Sequence, residues 1–261
     1  MAEPFFRFME FFVPSAVALN GNKITYRGLE NIPAEGGAII ALNHTSYVDW
    51  IPGSLAALQR KRRLRFMLKA EMQQVRSVNF VIKHTGLIPV DRTLGADAYA
   101  VAVQRLKEGE VVGMHPEGTI SRSLELREFK TGAARMAMEA QVPVVPMIVW
   151  GAHRIWPRAH PKNLWRNKIP VSAELGPALW PESDVDGYTE TLRQAMEVML
   201  HRVQEEYPHP AGEFWVPSRL GGGAPTPEES GEFHIANLAE PAQNRDQGEA
   251  ATKNRDKGER H

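Results

Sequence analysis

Residues 37–49 read Gly-Ala-Ile-Ile-Ala-Leu-Asn-His-Thr-Ser-Tyr-Val-Asp, and they predict the core of the fold. The apolar first half of this stretch predicts a buried strand, because it is short, continuous and bounded by turn residues. The run 48–58 that follows predicts a helix with Thr45 or Ser46 as its N-cap. His44 would then lie where a strand gives way to a helix.

A histidine at this junction is able to meet the aspartate five residues later. Within one regular helix the two side chains would point about 140° apart, so His44 reaches Asp49 only from outside the helix. A carboxylate bonded to one ring nitrogen leaves the other nitrogen as a base near neutral pH. The plain alternative is a cap histidine followed by a helix-start aspartate.

The composition limits the class of protein. The 261 residues are 43% hydrophobic and 24% charged, with formal net charge +0 and no cysteine, which excludes disulfides, thiol nucleophiles and cysteine zinc sites. The basic run at residues 60–63 lacks interleaved aromatic residues, so we expect no nucleic-acid partner. A negatively charged membrane surface or a phosphorylated substrate fits this run better.

The N-terminus is rich in phenylalanine. Residues 5–12 hold five of them, interrupted by Arg7 and Glu10, and no run of the chain approaches the roughly 18 apolar residues of a membrane span. We interpret residues 1–20 as an amphipathic helix lying in a membrane interface, with a helix packed on the domain's own core as the alternative.

Predicted strands and helices alternate through the middle of the chain, which favours an α/β fold with a single mixed sheet flanked by helices. A strand with Pro143 and Pro146 is expected only at a sheet edge, unless the prolines lie at its ends. The domain would cover residues 21–217. Residues 218–261 are rich in Gly, Pro and charge, and we predict a disordered tail there.

Four stretches follow or end predicted strands, where open α/β sheets bind ligands. They are His44 to Asp49, the run Gly-Leu-Ile-Pro-Val-Asp-Arg at 86–92, His-Pro-Glu-Gly-Thr at 115–119, and the proline-containing strand at 142–146. Arg92 suits a phosphate, since its guanidinium presents several donors and stays charged. Singly, each stretch also has an ordinary structural explanation as a surface arginine or a turn.

Together and in this order, the four stretches closely resemble the motifs of the glycerolipid acyltransferase family, best known for 1-acylglycerol-3-phosphate acyltransferases. The resemblance covers roughly residues 22 to 180. Two positions depart from it: His115 replaces the usual phenylalanine, and Ile120 replaces the usual arginine. Arg122 would then take over the charge that Ile120 lacks.

The resemblance implies transfer of an acyl group from acyl-CoA or acyl carrier protein to the sn-2 hydroxyl of 1-acylglycerol-3-phosphate, giving phosphatidic acid. It implies His44 as base, Asp49 as its orienting partner, and no cofactor beyond the thioester co-substrate. The expected partners are a lysophospholipid acceptor and a membrane lipid surface, with the protein peripheral on the cytoplasmic face. The residues expected to bind substrate are Arg92, Glu117, Gly118, Thr119, Lys69, Arg122 and Lys130.

Three alternatives stay open at this point. Another acceptor, such as glycerol-3-phosphate, another lysophospholipid or a glycolipid, fits the same motifs. A membrane-binding module without catalysis would keep the same fold. A metal hydrolase would use His44, Asp49, His115 and Glu117 as ligands, although the His-x-Glu motif lacks the paired cysteines of zinc deaminases.

Overall fold

The computed structural model describes residues 4–74, 76–90 and 96–231. In these ranges, strands form one sheet in the order β1-β7-β6-β2-β5-β3-β4, and every neighbouring pair is parallel except β6 and β7. This confirms the predicted mixed α/β sheet. The strands are β1 (Lys23–Arg27), β2 (Ala38–Leu42), β3 (Leu64–Lys69), β4 (Ile88–Val90), β5 (Val111–Met114), β6 (Val144–Trp150) and β7 (Pro170–Leu175).

Helices cover both faces of the sheet. The helix α2 contacts β2 and β3. On the opposite face, α5 contacts both α4 and α6, and all three helices pack on strands of the sheet. Within the described ranges, every helix is too short or too polar to cross a bilayer. The helices are α1 (Pro4–Leu19), α2 (Trp50–Gln59), α3 (Arg76–Thr85), α4 (Ala96–Lys107), α5 (Gly132–Ala140) and α6 (Val185–Glu206).

The strand β2 lies at the centre of the core, as its apolar sequence predicts. All five of its residues are 0% exposed. Ile40 and Leu42 pack in the cluster that includes α2, and Ile39 and Ala41 pack in the cluster on the other face. Because alternate residues of a strand face opposite sides, this strand must be apolar throughout. Its carboxyl end is thereby fixed as the base of the loop that carries His44.

Of the two positions expected for the proline-containing strand, the sheet edge is wrong, because β6 lies between β7 and β2. The prolines instead lie near the start of the strand: Pro143 precedes it and Pro146 is its third residue. The carbonyl of Pro146 accepts from the N–H of Gly176, on the side of β7. The β6–β7 register begins only at Met147, opposite Leu175. The N–H that Pro146 lacks would lie on the side of β7, beyond the last residue of that strand.

The predicted N-cap is also corrected. The helix begins at Trp50, so Thr45 and Ser46 precede it by several residues, and Asp49 occupies the cap position without a side-chain cap bond. The reason is that the Asp49 carboxylate points back into the loop, where it accepts the N–H groups of Thr45 and Ser46.

The N-terminal helix packs on the domain, which was one of the two alternatives for it, and it keeps an exposed apolar side. One side of α1 packs on the domain: Glu10 forms an ion pair with Arg63 at 2.8 Å, and Phe5 meets Phe80 edge-on at 5.0 Å. The other side leaves large apolar side chains in solvent, with Phe11 75% exposed and Phe12 52% exposed. A helix packed on its own core therefore still presents a phenylalanine-rich outer surface.

The predicted tail begins too early. Residues 218–231 are packed on the domain: Ala224 is 5% exposed and donates its N–H to Val216, and Arg219 pairs with Glu125 at 3.1 Å. The Gly-rich composition hid these contacts, since their partners come from distant parts of the chain. The remainder of the predicted tail, residues 232–261, lies outside the described residues.

Two arginines of the basic run after α2 are built into the fold. The Arg62 guanidinium donates to the carbonyls of Pro33, Gly36 and Gly109 at 2.6–2.7 Å. Arg63 pairs with Glu10, as described above. These contacts lie at the amino end of β3, opposite the end that carries His44. Arg62 and Arg63 therefore do not support the contact with a membrane surface or a phosphorylated substrate that the run suggested.

The turn before β2 gives a test of how tightly this strand is held. A Cβ on Gly37 would lie 2.1 Å from the carbonyl oxygen of Leu106, whereas a Cβ on Gly132, the first residue of α5, would meet only Met114 at 3.8 Å. We expect Gly37→Ala to lower the free energy of unfolding by about 1–3 kcal/mol. Gly132→Ala should leave stability unchanged or raise it by up to about 1 kcal/mol. Denaturant titration of both variants measures this, and equal stabilities would contradict the packing described.

Candidate active site

The loop between β2 and α2 is closed by the Asp49 carboxylate, which is 0% exposed. Its Oδ2 atom accepts the N–H groups of Thr45 and Ser46, each at 2.7 Å, and lies 3.3 Å from Nδ1 of His44. One buried oxygen thus shapes the loop and orients the imidazole. The side chain of His44 keeps 20% of its surface exposed. The two residues predicted as a pair are in contact.

Glu117 holds the same loop from the other side. It is 4% exposed, its Oε1 accepts the backbone N–H of His44 at 2.7 Å, and its Oε2 accepts the N–H of Arg127 at 3.1 Å. The sequence placed Glu117 among the substrate-binding residues. In the structure its carboxylate instead points inward and bonds to the chain itself, because two orphan N–H groups lie within its reach.

His115 lies against His44. The two imidazole rings are stacked, with centroids 3.8 Å apart and planes 8° from parallel, and Nδ1 of His115 is 3.1 Å from the carbonyl oxygen of Leu42. Burial lowers the pKa of His115 to about 3, so this ring is uncharged near neutral pH. The departure from phenylalanine therefore keeps a flat, neutral ring under the partly buried His44 ring.

Two more polar side chains fasten the loop to β6 and the segment after it. The Asn43 amide bonds both backbone groups of Val149, at 2.7 and 3.1 Å. The Ser46 hydroxyl lies within donating distance of the carbonyl oxygens of Ala152 and Trp156, at 3.0 and 2.9 Å, and can donate its one proton to either. The polar residues around His44 therefore satisfy backbone groups that would otherwise be buried without partners.

The electrostatics favour a neutral imidazole. Burial, followed by the positive charges of Lys69 and Arg158, lowers the pKa of His44 to about 4. Burial raises the pKa of Asp49 to about 7, against the opposing effects of His115 and of the N–H groups of Ser46 and Thr45. Burial likewise raises the pKa of Glu117 to about 8. A neutral His44 with Nδ1 directed at a carboxylate leaves Nε2 able to accept a proton.

Two cations stand close enough to His44 for their charges to act on it. Lys69 is the last residue of β3, was predicted from the sequence, and is exposed. Arg158 was missed. It comes from the segment after β6, where no periodicity or motif marks it, and its guanidinium donates to the hydroxyl of Thr119 at 3.3 Å. Only the tertiary fold brings this arginine to the site.

The other predicted substrate contacts lie around the turn after β5. Gly118 has a φ of 67°, and a Cβ there would come within 3.2 Å of the Lys130 side chain, so Lys130 lies across this glycine. Ile120 is buried, 5% exposed, while Arg122 is half-buried beyond it. Arg92 lies outside the described residues.

The rival prediction of a metal centre can be compared with the geometry. Among the residues that the structure describes, no group of three or more His, Asp or Glu side chains is arranged to hold a metal ion. His115 directs Nδ1 at a carbonyl oxygen, and Glu117 bonds to backbone N–H groups. The four residues of that hypothesis are therefore neighbours without converging on one point.

Known proteins similar to this chain are acyltransferases. Residues 23–150 match the model of a family described as Acyltransferase. The 1-acyl-sn-glycerol-3-phosphate acyltransferase of Bacillus subtilis (strain 168) is 34% identical over 123 residues, which are 47% of this chain and 60% of the relative. The protein of the same name from Borreliella burgdorferi is 29% identical over 141 residues, 53% of this chain and 55% of the relative. The chain thus spans little more than half of these curated relatives.

One solved structure supports the fold. The crystal structure of PlsC, the 1-acyl-sn-glycerophosphate (LPA) acyltransferase from Thermotoga maritima, aligns with a TM-score of 0.64 at 20% identity. The alignment covers 78% of this chain and 81% of that one. The architecture described above is therefore shared over most of both chains.

The environment of His44 predicts its titration. Because burial and two cations disfavour the charged imidazole, we expect His44 to stay neutral as the pH falls from 8 to about 5 and to protonate near pH 4. Long-range ¹H–¹⁵N NMR of the imidazole nitrogens measures this, with the His44 signals identified by their loss in His44→Gln. A midpoint at or above about 6.5, the ordinary value for histidine, would contradict the site as described.

Proposed function

Because residues 23–150 match the model of a family described as Acyltransferase, we propose that this protein transfers an acyl group from acyl-CoA or acyl carrier protein to 1-acylglycerol-3-phosphate. The acceptor atom is the oxygen of the sn-2 hydroxyl, and the product is phosphatidic acid. The observation that carries this proposal is the contact of 3.3 Å between His44 Nδ1 and the buried Asp49 carboxylate.

In the proposed reaction, His44 removes the proton of the acceptor hydroxyl through Nε2. The acceptor oxygen attacks the thioester carbonyl carbon, the new C–O bond forms, and the C–S bond breaks. The proton held on His44 then passes to the departing sulfur. Asp49 orients the ring and stabilises its charged form during the reaction. The chain has no cysteine, and direct attack requires no covalent enzyme intermediate.

The acceptor phosphate belongs with the cations beside His44. Lys69 and Arg158 act on the imidazole through their charges, and Thr119 holds the Arg158 guanidinium at 3.3 Å. Arg92 remains part of the proposed phosphate site from its sequence position. An anion bound to these groups would offset the charges that weaken His44 as a base. Substrate binding would then raise the basicity of the imidazole when it is needed.

The remaining expected substrate contacts fall into two roles. Gly118 and Lys130 lie together, and with Arg122 they are proposed to contact the acceptor or donor. Glu117 is proposed as a positioning residue, since it bonds the His44 backbone at 2.7 Å while buried. The N–H groups of His44, Thr45 and Ser46 are already bonded to carboxylates, so the donors for the oxyanion of the reaction are proposed to come from elsewhere in the site.

We propose that the protein works as a peripheral protein on the cytoplasmic face of a membrane. The outer side of α1 supports this, because Phe8, Phe11 and Phe12 are 52–75% exposed. Exposed phenylalanines on a helix are suited to the interface between headgroups and acyl chains. An acceptor with a long acyl chain would be available at that interface.

The acceptor is best identified with a panel. Acyl-CoA consumption should be fastest with 1-acylglycerol-3-phosphate and slower with glycerol-3-phosphate, another lysophospholipid or a glycolipid. A faster rate with a different acceptor would contradict the proposed substrate but not the proposed acyltransferase activity. Vesicle binding without thioester consumption for any acceptor would favour a membrane-binding module.

Loss of the base should strongly reduce turnover without unfolding the protein. We expect His44→Ala to reduce acyl transfer by about 10²- to 10⁴-fold, since a positioned base contributes that much. Asp49→Asn keeps an acceptor oxygen for Thr45 and Ser46 and should mainly lower kcat. Steady-state kinetics with acyl-CoA measure both effects.

The matched control is His115→Phe, which places the usual residue of the family under the His44 ring. This variant should retain most of the activity, because a flat neutral ring still supports the imidazole. Near-normal turnover in His44→Ala, with unchanged thermal unfolding, would remove His44 from the mechanism.

The cation site predicts a different kinetic signature. Arg158→Gln and Lys69→Gln should each raise KM for 1-acylglycerol-3-phosphate by roughly tenfold, as expected for loss of a charge-assisted hydrogen bond. The rate with an uncharged monoacylglycerol should change little. Lys107→Gln, in the last turn of α4, serves as the control for a general loss of positive charge. Equal effects on both acceptors would exclude a phosphate contact.

A further inference from the structure

The loop between β6 and β7 presents two apolar side chains to solvent. We call residues 159–168 the tip loop. Leu164 is 44% exposed and Trp165 is 77% exposed, and all residues from 159 to 166 are exposed. Tryptophan is usually largely buried, because its ring carries a large apolar surface. The tip loop therefore holds apolar surface that a partner would cover.

The charge of this segment is strongly one-sided. Residues 140–173 contain no aspartate or glutamate, although the whole chain has a formal net charge of +0. Within that segment, Lys162, Arg166 and Lys168 flank the apolar pair, and all three are exposed. Cations around an apolar tip complement a surface that is negative outside and apolar beneath, which describes a bilayer with anionic phospholipids.

The loop is fixed to α1 by its backbone. The N–H of Arg166 donates to Oδ1 of Asn20 at 3.0 Å, and the N–H of Lys168 donates to the carbonyl oxygen of Asn20 at 3.2 Å. Asn20 directly follows Leu19, which is 76% exposed at the end of α1. The tip loop thus continues the apolar surface that begins on the N-terminal helix.

The sheet places this surface at the same end as His44. β7 runs antiparallel to β6 and parallel to β1, so the starts of β7 and β1 lie beside the carboxyl end of β6. Contacts join the loop to the site: Lys162 lies 4.7 Å from the Trp156 ring, and Trp156 lies 5.7 Å from Tyr47. Tyr47 is 50% exposed and three residues from His44.

We propose that the tip loop is a second membrane contact, in which Leu164 and Trp165 enter the interface of an anionic bilayer while Lys162, Arg166 and Lys168 meet the headgroups. Two side chains are too few for a stable protein interface of about 800 Å² per partner, whereas they suffice for interfacial anchoring beside α1. The consequence that the bound loop turns His44 toward lipid substrate rests on the proposed function; membrane binding by the loop does not.

The test is co-sedimentation of the full chain with vesicles of phosphatidylcholine mixed with phosphatidylglycerol, and with vesicles of phosphatidylcholine alone. We expect Trp165→Ser to weaken binding to the mixed vesicles by roughly tenfold, as expected for loss of a large buried apolar side chain. The matched control is Trp180→Ser. Trp180 is 65% exposed but follows Leu179, which bonds Val144 at the opposite end of the sheet. This control should bind like the unaltered protein.

The charge component has its own pair of variants. Arg166→Gln should weaken binding to the mixed vesicles at low salt and leave binding to phosphatidylcholine unchanged, whereas Lys107→Gln should change neither. Unchanged binding of Trp165→Ser, or equal losses in Trp165→Ser and Trp180→Ser, would overturn the proposal. His44→Ala should bind vesicles normally, so failure of this proposal is separable from failure of the proposed acyl transfer. Thermal unfolding of each variant confirms that its fold is intact.

Discussion

The site depends on one buried oxygen atom. Oδ2 of Asp49 accepts two backbone N–H groups at 2.7 Å and stands 3.3 Å from the His44 ring, although the residue is 0% exposed. A buried carboxylate is unfavourable unless it is bonded, and the N–H groups of Thr45 and Ser46 supply these bonds to Oδ2 when the loop closes around it. The same bonds that make the carboxylate tolerable therefore set the position and tautomer of the imidazole.

The sheet explains why these groups meet. His44 and His115 each follow a central strand within two residues, and Lys69 ends a third, so the parallel strands deliver their side chains to one edge. The apolar strand β2 could be predicted from its sequence because a strand buried on both faces has no polar alternation. The stretches at His44 and His115 were likewise readable as following strands, whereas residues 142–146 lead into β6 and lie at its amino end, contrary to the prediction.

What could not be read from the sequence depends on partners from distant segments. Arg158 reaches Thr119 across 39 residues, and no local pattern distinguishes it from other loop arginines. Glu117 was predicted to bind substrate. The N–H groups that it binds belong to His44 and Arg127, and its sequence neighbourhood does not indicate that they lie within reach. Pro146 was expected at a sheet edge or at a strand end because proline has no N–H. Whether β6 can hold a proline there depends on where its neighbour β7 ends, which the sequence of β6 does not reveal.

Arginine at the two ends of the sheet illustrates the same point. At the amino end of β3, Arg62 is saturated by three carbonyl oxygens and holds turns together. At the carboxyl end, Arg158 has a hydroxyl partner and stands close enough to lower the pKa of His44. The basic run is conspicuous in the sequence, yet Arg62 and Arg63 within it are bonded to other parts of the chain. Arg158 is the arginine proposed to meet an anion, because it lies beside His44 and its guanidinium donates to a neutral hydroxyl.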